Sequence, residues 1–247
     1  MYGWRAKIGL LVPSNNTVFE PDIHGMAYYA ASKGIAIYST RLYLTTEDIS
    51  EDKHEEVLEC LAMEVEQGVK ELTSAQVDVI LYGCTAGSFF KGVKGDEDLI
   101  EQIERVGLIP ATTPSTAMIM ALARLKINKV SVATPYSRLM DERLKKFLEG
   151  NGIDVIDIDG LRETTVSGLT QFPPRQIYQL VKNVDNIKSE GILIPCTNFP
   201  VINLIDPLEH DLHKPVITAN QALFWHALKI LGINKAIEGF GGILKEL

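Results

Sequence analysis

Two cysteines stand at the ends of similar apolar runs. VDVILYGCTAGS at 77–88 carries Cys84 and GILIPCTNFP at 191–200 carries Cys196, each followed by a threonine, Thr85 and Thr197. A thiolate is a good nucleophile, and it serves as a carbon base once N–H groups or a helix N-terminus lower its pKa. A second thiol facing the first delivers a proton from the other side of a bound carbon. The pair therefore points to racemisation, or to isomerisation through a covalent adduct. The bland reading is two buried cysteines acting as small hydrophobes, the commoner state of the residue. The matched Cys-Thr settings at two strand ends favour chemistry. No CxxC or HExxH spacing accompanies them, so a disulfide or a zinc pair fits less well. Cys60 lies in an acidic helical stretch and reads as filler.

The residues around these runs are those that hold a carboxylate. Thr85 and Thr197 offer hydroxyls and amides, and Ala86, Gly87 and Asn198 offer backbone N–H groups, unless they only close the turns. The polar loop Pro13-Ser14-Asn15-Asn16-Thr17 follows the first apolar run, and Tyr136 follows the corresponding run in the second half. Pro13, Ser14, Asn15, Asn16 and Tyr136 are therefore candidates for the same cleft, against ordinary loop polarity. His210 and His213 are spaced i, i+3 without a third ligand and read as a solvated face. His24, His54 and His226 carry no partner pattern. The glycines at 239–242 lack the strand-before, helix-after setting of a nucleotide fingerprint, so phosphate cofactors are not expected.

These residues need strands and loops to bring them together. A run of β-branched and aliphatic residues ending in small ones reads as a strand buried on both faces, with its ligand site at the carboxyl end. Strands are expected at 7–12, 35–42, the run before Cys84, and 108–112. Helices are expected from 20 to about 32, from 45 to 73 and over 96–106. In the long one, Leu58, Leu61, Val65 and Leu72 make one apolar stripe. This alternation is the βαβ signature of a parallel sheet. The second half repeats the first. KIGLLVP at 7–13 aligns with KVSVATP at 129–135, and VILYGCT at 79–85 with GILIPCT at 191–197. Ile109-Pro110 with the helix over 117–125 mirrors Lys214-Pro215 with the helix over 222–231. The period is far too long for a solenoid. Two similar α/β units are expected, each with a cysteine after its third strand, and pseudo-twofold packing of such units would bring both strand ends over one cleft.

Composition narrows the partners. The 247 residues are 46% hydrophobic and 23% charged, enough for one large domain or two small ones with real cores. The net charge of −8, with no basic block, argues against nucleic acid. No apolar run approaches the ~20 residues that span a membrane. The N-terminus runs straight into a strand-like segment without a signal-peptide cleavage pattern. A soluble, cytoplasmic protein with free thiols is the expectation.

The motifs together resemble the aspartate/glutamate racemase superfamily, and within it the branch of maleate cis-trans isomerase and arylmalonate decarboxylase. IGLLVPSNNT at 8–17 is similar to the isomerases' opening motif. YGCTAGSFFKG at 82–92, STA at 115–117, VATPYSRLMDERLKKFL at 132–148 and PVITANQALFWHA at 215–227 are similar to segments of the decarboxylase. The resemblance implies roles residue by residue. Cys196 matches the cysteine of both enzymes, and Cys84 the isomerases' second cysteine, where the decarboxylase has glycine. Asn16 matches the isomerases' carboxylate-binding asparagine, and Tyr136 a tyrosine that holds a carboxylate in both. Thr85 falls on a dioxyanion-hole threonine whose neighbouring serine is Ala86 here. In LRETTVSG at 161–168 the isomerases hold the second carboxylate with asparagine, and this chain has Thr164 and Thr165.

The implied fold is α/β, two Rossmann-like units with parallel four-stranded sheets related by pseudo-twofold symmetry, the active site in the cleft between them. Residues 1–112, completed by a C-terminal helix within 219–247, form one unit and 113–218 the other. The resemblance further implies no metal or organic cofactor, a homo-oligomer, and a small carboxylate substrate. The expected activity is isomerisation of a small dicarboxylate, maleate to fumarate, with Cys84 and Cys196 as nucleophile and acid/base. The alternatives are a two-cysteine racemase of an amino acid or hydantoin, a malonate decarboxylase and a non-catalytic carboxylate-binding protein.

Overall fold

The structure, a computed structural model, describes residues 2–30 and 34–247, with the side chain of Ala30 excepted. The first half runs β1 (Ala6–Pro13), α1 (Phe19–Ala30), β2 (Ile35–Leu42), α2 (His54–Ser74), β3 (Val79–Tyr82), α3 (Thr85–Phe89), α4 (Gly92–Gly107) and β4 (Ala111–Thr112). After α5 (Pro114–Arg124) the pattern returns as β5 (Lys129–Thr134), α6 (Arg138–Gly150), β6 (Asp154–Gly160), α7 (Pro174–Val184), β7 (Gly191–Ile194), α8 (Ile205–Leu212) and β8 (Val216–Thr218). Helix α9 (Ala219–Ile230) follows, packing on α5, α1 and β3. No helix among the described residues is long and apolar enough to cross a membrane.

The repeat in the sequence becomes a repeat in topology. One sheet has the order β2-β1-β3-β4 and the other β6-β5-β7-β8, with every pairing parallel. Beyond the lysines near their starts, Lys7 and Lys129, the central strands are buried, as a sheet covered on both faces requires: Ile8, Leu10, Val12, Val79 and Leu81 in one, Val130, Val132, Ile192 and Ile194 in the other. In each sheet the chain leaves its first strand for one neighbour and later returns to pair on the opposite side. Such a switch point opens a crevice beyond the carboxyl ends of the strands. The loops after β1, β3, β5 and β7 all lie there.

Several expected elements differ in extent, among them α4, which begins at Gly92 where the helix was expected from 96. Strand β2 has the expected bounds. Helix α1 spans Phe19–Ala30, and positions 31 and 32 of its expected range lie outside the described residues. The helix expected from 45 begins only at His54. Short polar side chains hold the preceding backbone in turns, with Asp48 N donating to Thr46 Oγ1 at 3.1 Å and Ser50 N to Asp48 Oδ1 at 2.9 Å. The same loop pairs across the two halves: Ile49 N donates to the Thr164 carbonyl at 2.8 Å and Val166 N to the Glu47 carbonyl at 2.9 Å. The strand expected at 108–112 is only Ala111–Thr112, because Leu108 ends α4 in the left-handed region at φ +54°.

Gly83 shows how tightly β1, α1 and the Cys84 turn are fitted. A Cβ there would lie 2.6 Å from the Leu11 carbonyl oxygen and 2.6 Å from a Phe19 ring carbon. Gly83→Ala is therefore expected to cost roughly 1–3 kcal/mol in urea unfolding through overpacking. Gly25→Ala, inside α1 with nothing within 4 Å of the added carbon, is expected to leave stability unchanged or raise it by about 0.5–1 kcal/mol.

Candidate active site

Four loops converge on one cavity. Pro13 ends β1 and Asn15 and Asn16 follow in its loop, Gly83 and Cys84 form the turn after β3 with Thr85 and Ala86 opening α3, Tyr136 comes from the turn after β5, and Cys196, Thr197 and Asn198 come from that after β7. The cavity volume is about 70 Å³. One water needs about 10–15 Å³ on the same measure, so the cavity takes a small molecule of a few heavy atoms and no nucleotide.

The two cysteines reach the cavity by different backbone routes. Cys84 is extended (φ −134°) and caps α3, its Sγ accepting from Gly87 N at 3.4 Å. Cys196 sits at φ +92°, a region that a residue with a Cβ enters only under strain of about 1–3 kcal/mol. Strain of this kind, held by the surrounding packing, aims the thiol into the cleft. Both are free thiols.

Thr197 couples the two turns. Its hydroxyl donates to the Gly83 carbonyl at 2.6 Å and accepts from Asn16 Nδ2 at 3.1 Å. Asn16 in turn starts α1, its Oδ1 accepting from Val18 N and Phe19 N, each at 3.0 Å. One Asn16 N–H is left over for a ligand, whereas the Thr197 hydroxyl proton is already used. Asn198 is also committed, accepting from Thr17 N at 3.0 Å and donating to the Val166 carbonyl at 3.0 Å. Its backbone N–H turns toward the Cys196 sulfur.

Two hydroxyls on the cavity wall are buried without a partner of normal geometry, Thr85 Oγ1 and Tyr136 Oη. The Tyr136 hydroxyl lies beside Cys196 and Thr85. Its turn is fixed by Tyr136 N donating to Thr134 Oγ1 at 3.2 Å and by Arg162 donating to its carbonyl at 3.1 Å. Buried polar groups are almost always paired, so orphaned donors facing a cavity mark a place for an acceptor ligand. Burial holds the Tyr136 phenol well above its ordinary pKa, so it remains a proton donor across the usual pH range.

The thiols are shifted opposite to the sequence expectation. Burial pushes Cys84 up to about 11, against the N–H groups of Gly87 and Ala86 and the Tyr82 hydroxyl. Burial likewise pushes Cys196 up to about 12, against the Asn198 N–H and the Tyr136 hydroxyl. N–H donors are present as expected, but desolvation outweighs them. Both thiols are protonated near neutral pH in the empty cavity.

Three candidates do not line the cavity. Ser14 Oγ accepts from Leu44 N at 3.0 Å and ties its loop to the end of β2. Thr164 is used through its backbone, and Thr165 Oγ1 donates to Glu163 Oε1 at 2.7 Å. Their neighbours Val166 and Leu169 take the wall instead, with Leu44, Ile49, His54, Val57, Leu58 and Leu61. This aliphatic half includes Leu58 and Leu61 of the apolar stripe expected on the long helix, whose periodicity alone does not tell cavity wall from core. The signal was present: His54 stands four residues before Leu58 on that stripe. Cys60 does not line the cavity, His24, His210 and His213 are exposed, and His226 pairs with Thr112 Oγ1 at 2.8 Å.

A sequence profile of the arylmalonate decarboxylase family matches residues 8–244. Maleate isomerase of Nocardia farcinica is 24% identical over 97% of this chain and 96% of its own. Arylmalonate decarboxylase of Bordetella bronchiseptica is 28% identical over 66% of this chain and 69% of its own. In three dimensions the chain is similar to the Nocardia farcinica maleate cis-trans isomerase solved with a covalently bound succinylcysteine intermediate. That likeness has a TM-score of 0.92 at 22% identity, covering 98% of this chain and 99% of that one. Arylmalonate decarboxylase superposes with a TM-score of 0.79 at 21% identity, over 98% of this chain and 100% of that one.

The raised thiol pKa values have a direct readout. Because only the thiolate alkylates, Cys84 labelling by iodoacetamide is expected to climb about tenfold per pH unit from 7 to 10, followed by peptide mass spectrometry. A plateau below pH 8 would mean that a thiolate already exists in the empty site.

Proposed function

This chain belongs to the arylmalonate decarboxylase family, and we propose that it is a cofactor-independent isomerase of a small cis-unsaturated dicarboxylate, converting maleate to fumarate. The observation that carries this reading is the pair of free thiols, Cys84 and Cys196, at equivalent strand ends on one small cavity with two unpartnered hydroxyl donors. The succinylcysteine reported for the Nocardia farcinica relative is the adduct that a cysteine makes with such a substrate.

The reaction conserves protons within the pair. Cys84 Sγ bonds one alkene carbon as its own proton leaves, and the π electrons move toward the carboxylate on the neighbouring carbon. Tyr136, Thr85 and the remaining Asn16 N–H stabilise the charge that develops there. Cys196 protonates that carbon and takes up the proton released by Cys84. The adduct now has a single bond in place of the double bond, and rotation about it exchanges cis for trans. Cys196 then returns its thiol proton to Cys84 as the C–S bond breaks, and takes the proton from carbon in its place. Both thiols begin and end neutral, which suits a cavity that disfavours thiolates. Cys84 rather than Cys196 is placed as the nucleophile because two backbone N–H groups, of Gly87 and Ala86, are turned to its sulfur, against the single Asn198 N–H at Cys196.

One observation favours a second reading, the aliphatic wall of Leu44, Ile49, Val57, Leu58, Leu61, Val166 and Leu169. A malonate carboxylate pressed against it would be desolvated and inclined to leave as carbon dioxide. The Cys84 side chain counts against that, since it occupies the space such a substrate needs. A racemase remains compatible with the two thiols, on one carbon in place of two.

Proton NMR with maleate in deuterated buffer, beside a panel of amino acids, hydantoins and malonates, separates these readings. The fumarate signal is expected, with kcat/KM falling at least about a thousandfold in either Cys84→Ala or Cys196→Ala. Deuterium entering an α-position elsewhere in the panel, with maleate untouched, would replace the isomerase by a racemase. Silence throughout would favour a carboxylate-binding protein.

A further inference from the structure

The dicarboxylate reading leaves one end of the substrate without a partner. Thr85, Tyr136 and the free Asn16 N–H converge on the polar side of the cavity and suffice for one carboxylate. Beyond the two cysteine turns, the rest of the lining is aliphatic apart from His54 and Asn15. Asn15 Nδ2 already donates to Glu47 Oε1 at 3.0 Å and to the Thr46 carbonyl at 3.5 Å. Among the described residues no lysine or arginine lines the cavity. Thr165, the hydroxyl nearest in sequence to that wall, is held by Glu163 and by Gly168 N at 3.1 Å.

His54 is the first residue of α2 and is only 5% exposed. Its Nδ1 lies 3.1 Å from the Ile49 carbonyl. A carbonyl oxygen only accepts, so Nδ1 carries a hydrogen and, in the neutral ring, Nε2 carries the lone pair. Nε2 has no hydrogen-bond partner among the described residues. The imidazole is thus oriented by its backbone anchor, with its second nitrogen free and the ring on the cavity wall.

Resting on the isomerase reading above, we propose that His54 receives the substrate's second carboxylate as an imidazolium, so that each dicarboxylate brings one proton into the site. Burial lowers the His54 pKa in the empty protein, so the ring is neutral there near pH 7. The titratable groups that share its cavity are Cys84, Cys196 and Tyr136, all held in their neutral forms by burial. On its own helix and the preceding loop, Glu51, Asp52, Lys53, Glu55 and Glu56 are exposed, and Glu47 is occupied by Ser167 N and Asn15 Nδ2. Nothing in the cavity therefore compensates an imidazolium until an anion arrives. A carboxylate beside Nε2 supplies that charge and raises the ring's pKa, while an uncharged substituent does not. His54 so discriminates dicarboxylates from monocarboxylates with an apolar tail, and it makes binding weaken as pH rises.

Calorimetry with succinate, a saturated dicarboxylate that cannot react, tests this without turnover. Titration at pH 8 in buffers of different ionisation enthalpy is expected to show uptake of close to one proton per succinate, and Kd is expected to rise up to tenfold per pH unit above 7. In His54→Gln, where the amide keeps the donor to Ile49, uptake is expected to vanish and succinate to bind at least tenfold more weakly. Butyrate affinity is expected to stay within about twofold. Succinate binding to the unaltered protein without proton uptake would overturn the role of His54 and leave the isomerase reading standing. Failure of both succinate and butyrate to bind would overturn the carboxylate reading and this inference with it.

Discussion

The Thr197 hydroxyl is the joint on which the site depends. It follows Cys196, donates to the carbonyl of the residue just before Cys84, and accepts from the asparagine that starts α1. One side chain therefore ties the ends of β1, β3 and β7 together, across the two sheets. Each of these bonds is buried, so none can be exchanged for water without leaving an unpaired group, a cost of about 1–3 kcal/mol apiece. The separation of the two thiols is a consequence of that joint. The loop pairing of Ile49 with Thr164 and of Val166 with Glu47 closes the cavity on the opposite side.

Closure has an electrostatic consequence that runs through the chemistry. A cavity drawn out of water raises both thiols despite the N–H donors aimed at them. Desolvation is the larger effect because it acts on the whole sulfur, while each donor offsets only part of it. A mechanism that begins from a resting thiolate fits poorly with this environment. One that passes a proton between the two thiols, with both neutral at rest, fits it. The same dryness strengthens the hydroxyls of Tyr136 and Thr85 as donors to charge that develops during reaction.

The sequence carried the fold because its signals are local and repeated. Alternating strand and helix patterns, doubled with cysteines at equivalent strand ends, lead to two parallel sheets with the same strand order. Cys84, Cys196, Asn16 and Tyr136 were legible for the same reason: each follows a buried strand whose end had to reach the crevice. What was not legible arises from pairing across the halves. The loop at 45–53 has helix-compatible composition, yet turns at Thr46 and Asp48 and pairing with 164–166 override it. That same pairing uses Thr164 and Thr165 for structure and gives Val166 to the cavity. The direction of the thiol shifts depends on how completely the loops close, which no motif encodes. His54 looked partnerless because its anchor is a backbone carbonyl, invisible to a search for side-chain patterns.

The central claim is covalent addition through Cys84 with Cys196 as its proton partner. Rapid acid quenching of the protein during turnover of maleate, followed by peptide mass spectrometry, tests it most directly. The account predicts a thioether adding the mass of one maleic acid, confined to the peptide that carries Cys84. Steady turnover with no adduct at any quench time, or an adduct on Cys196 alone, would contradict it.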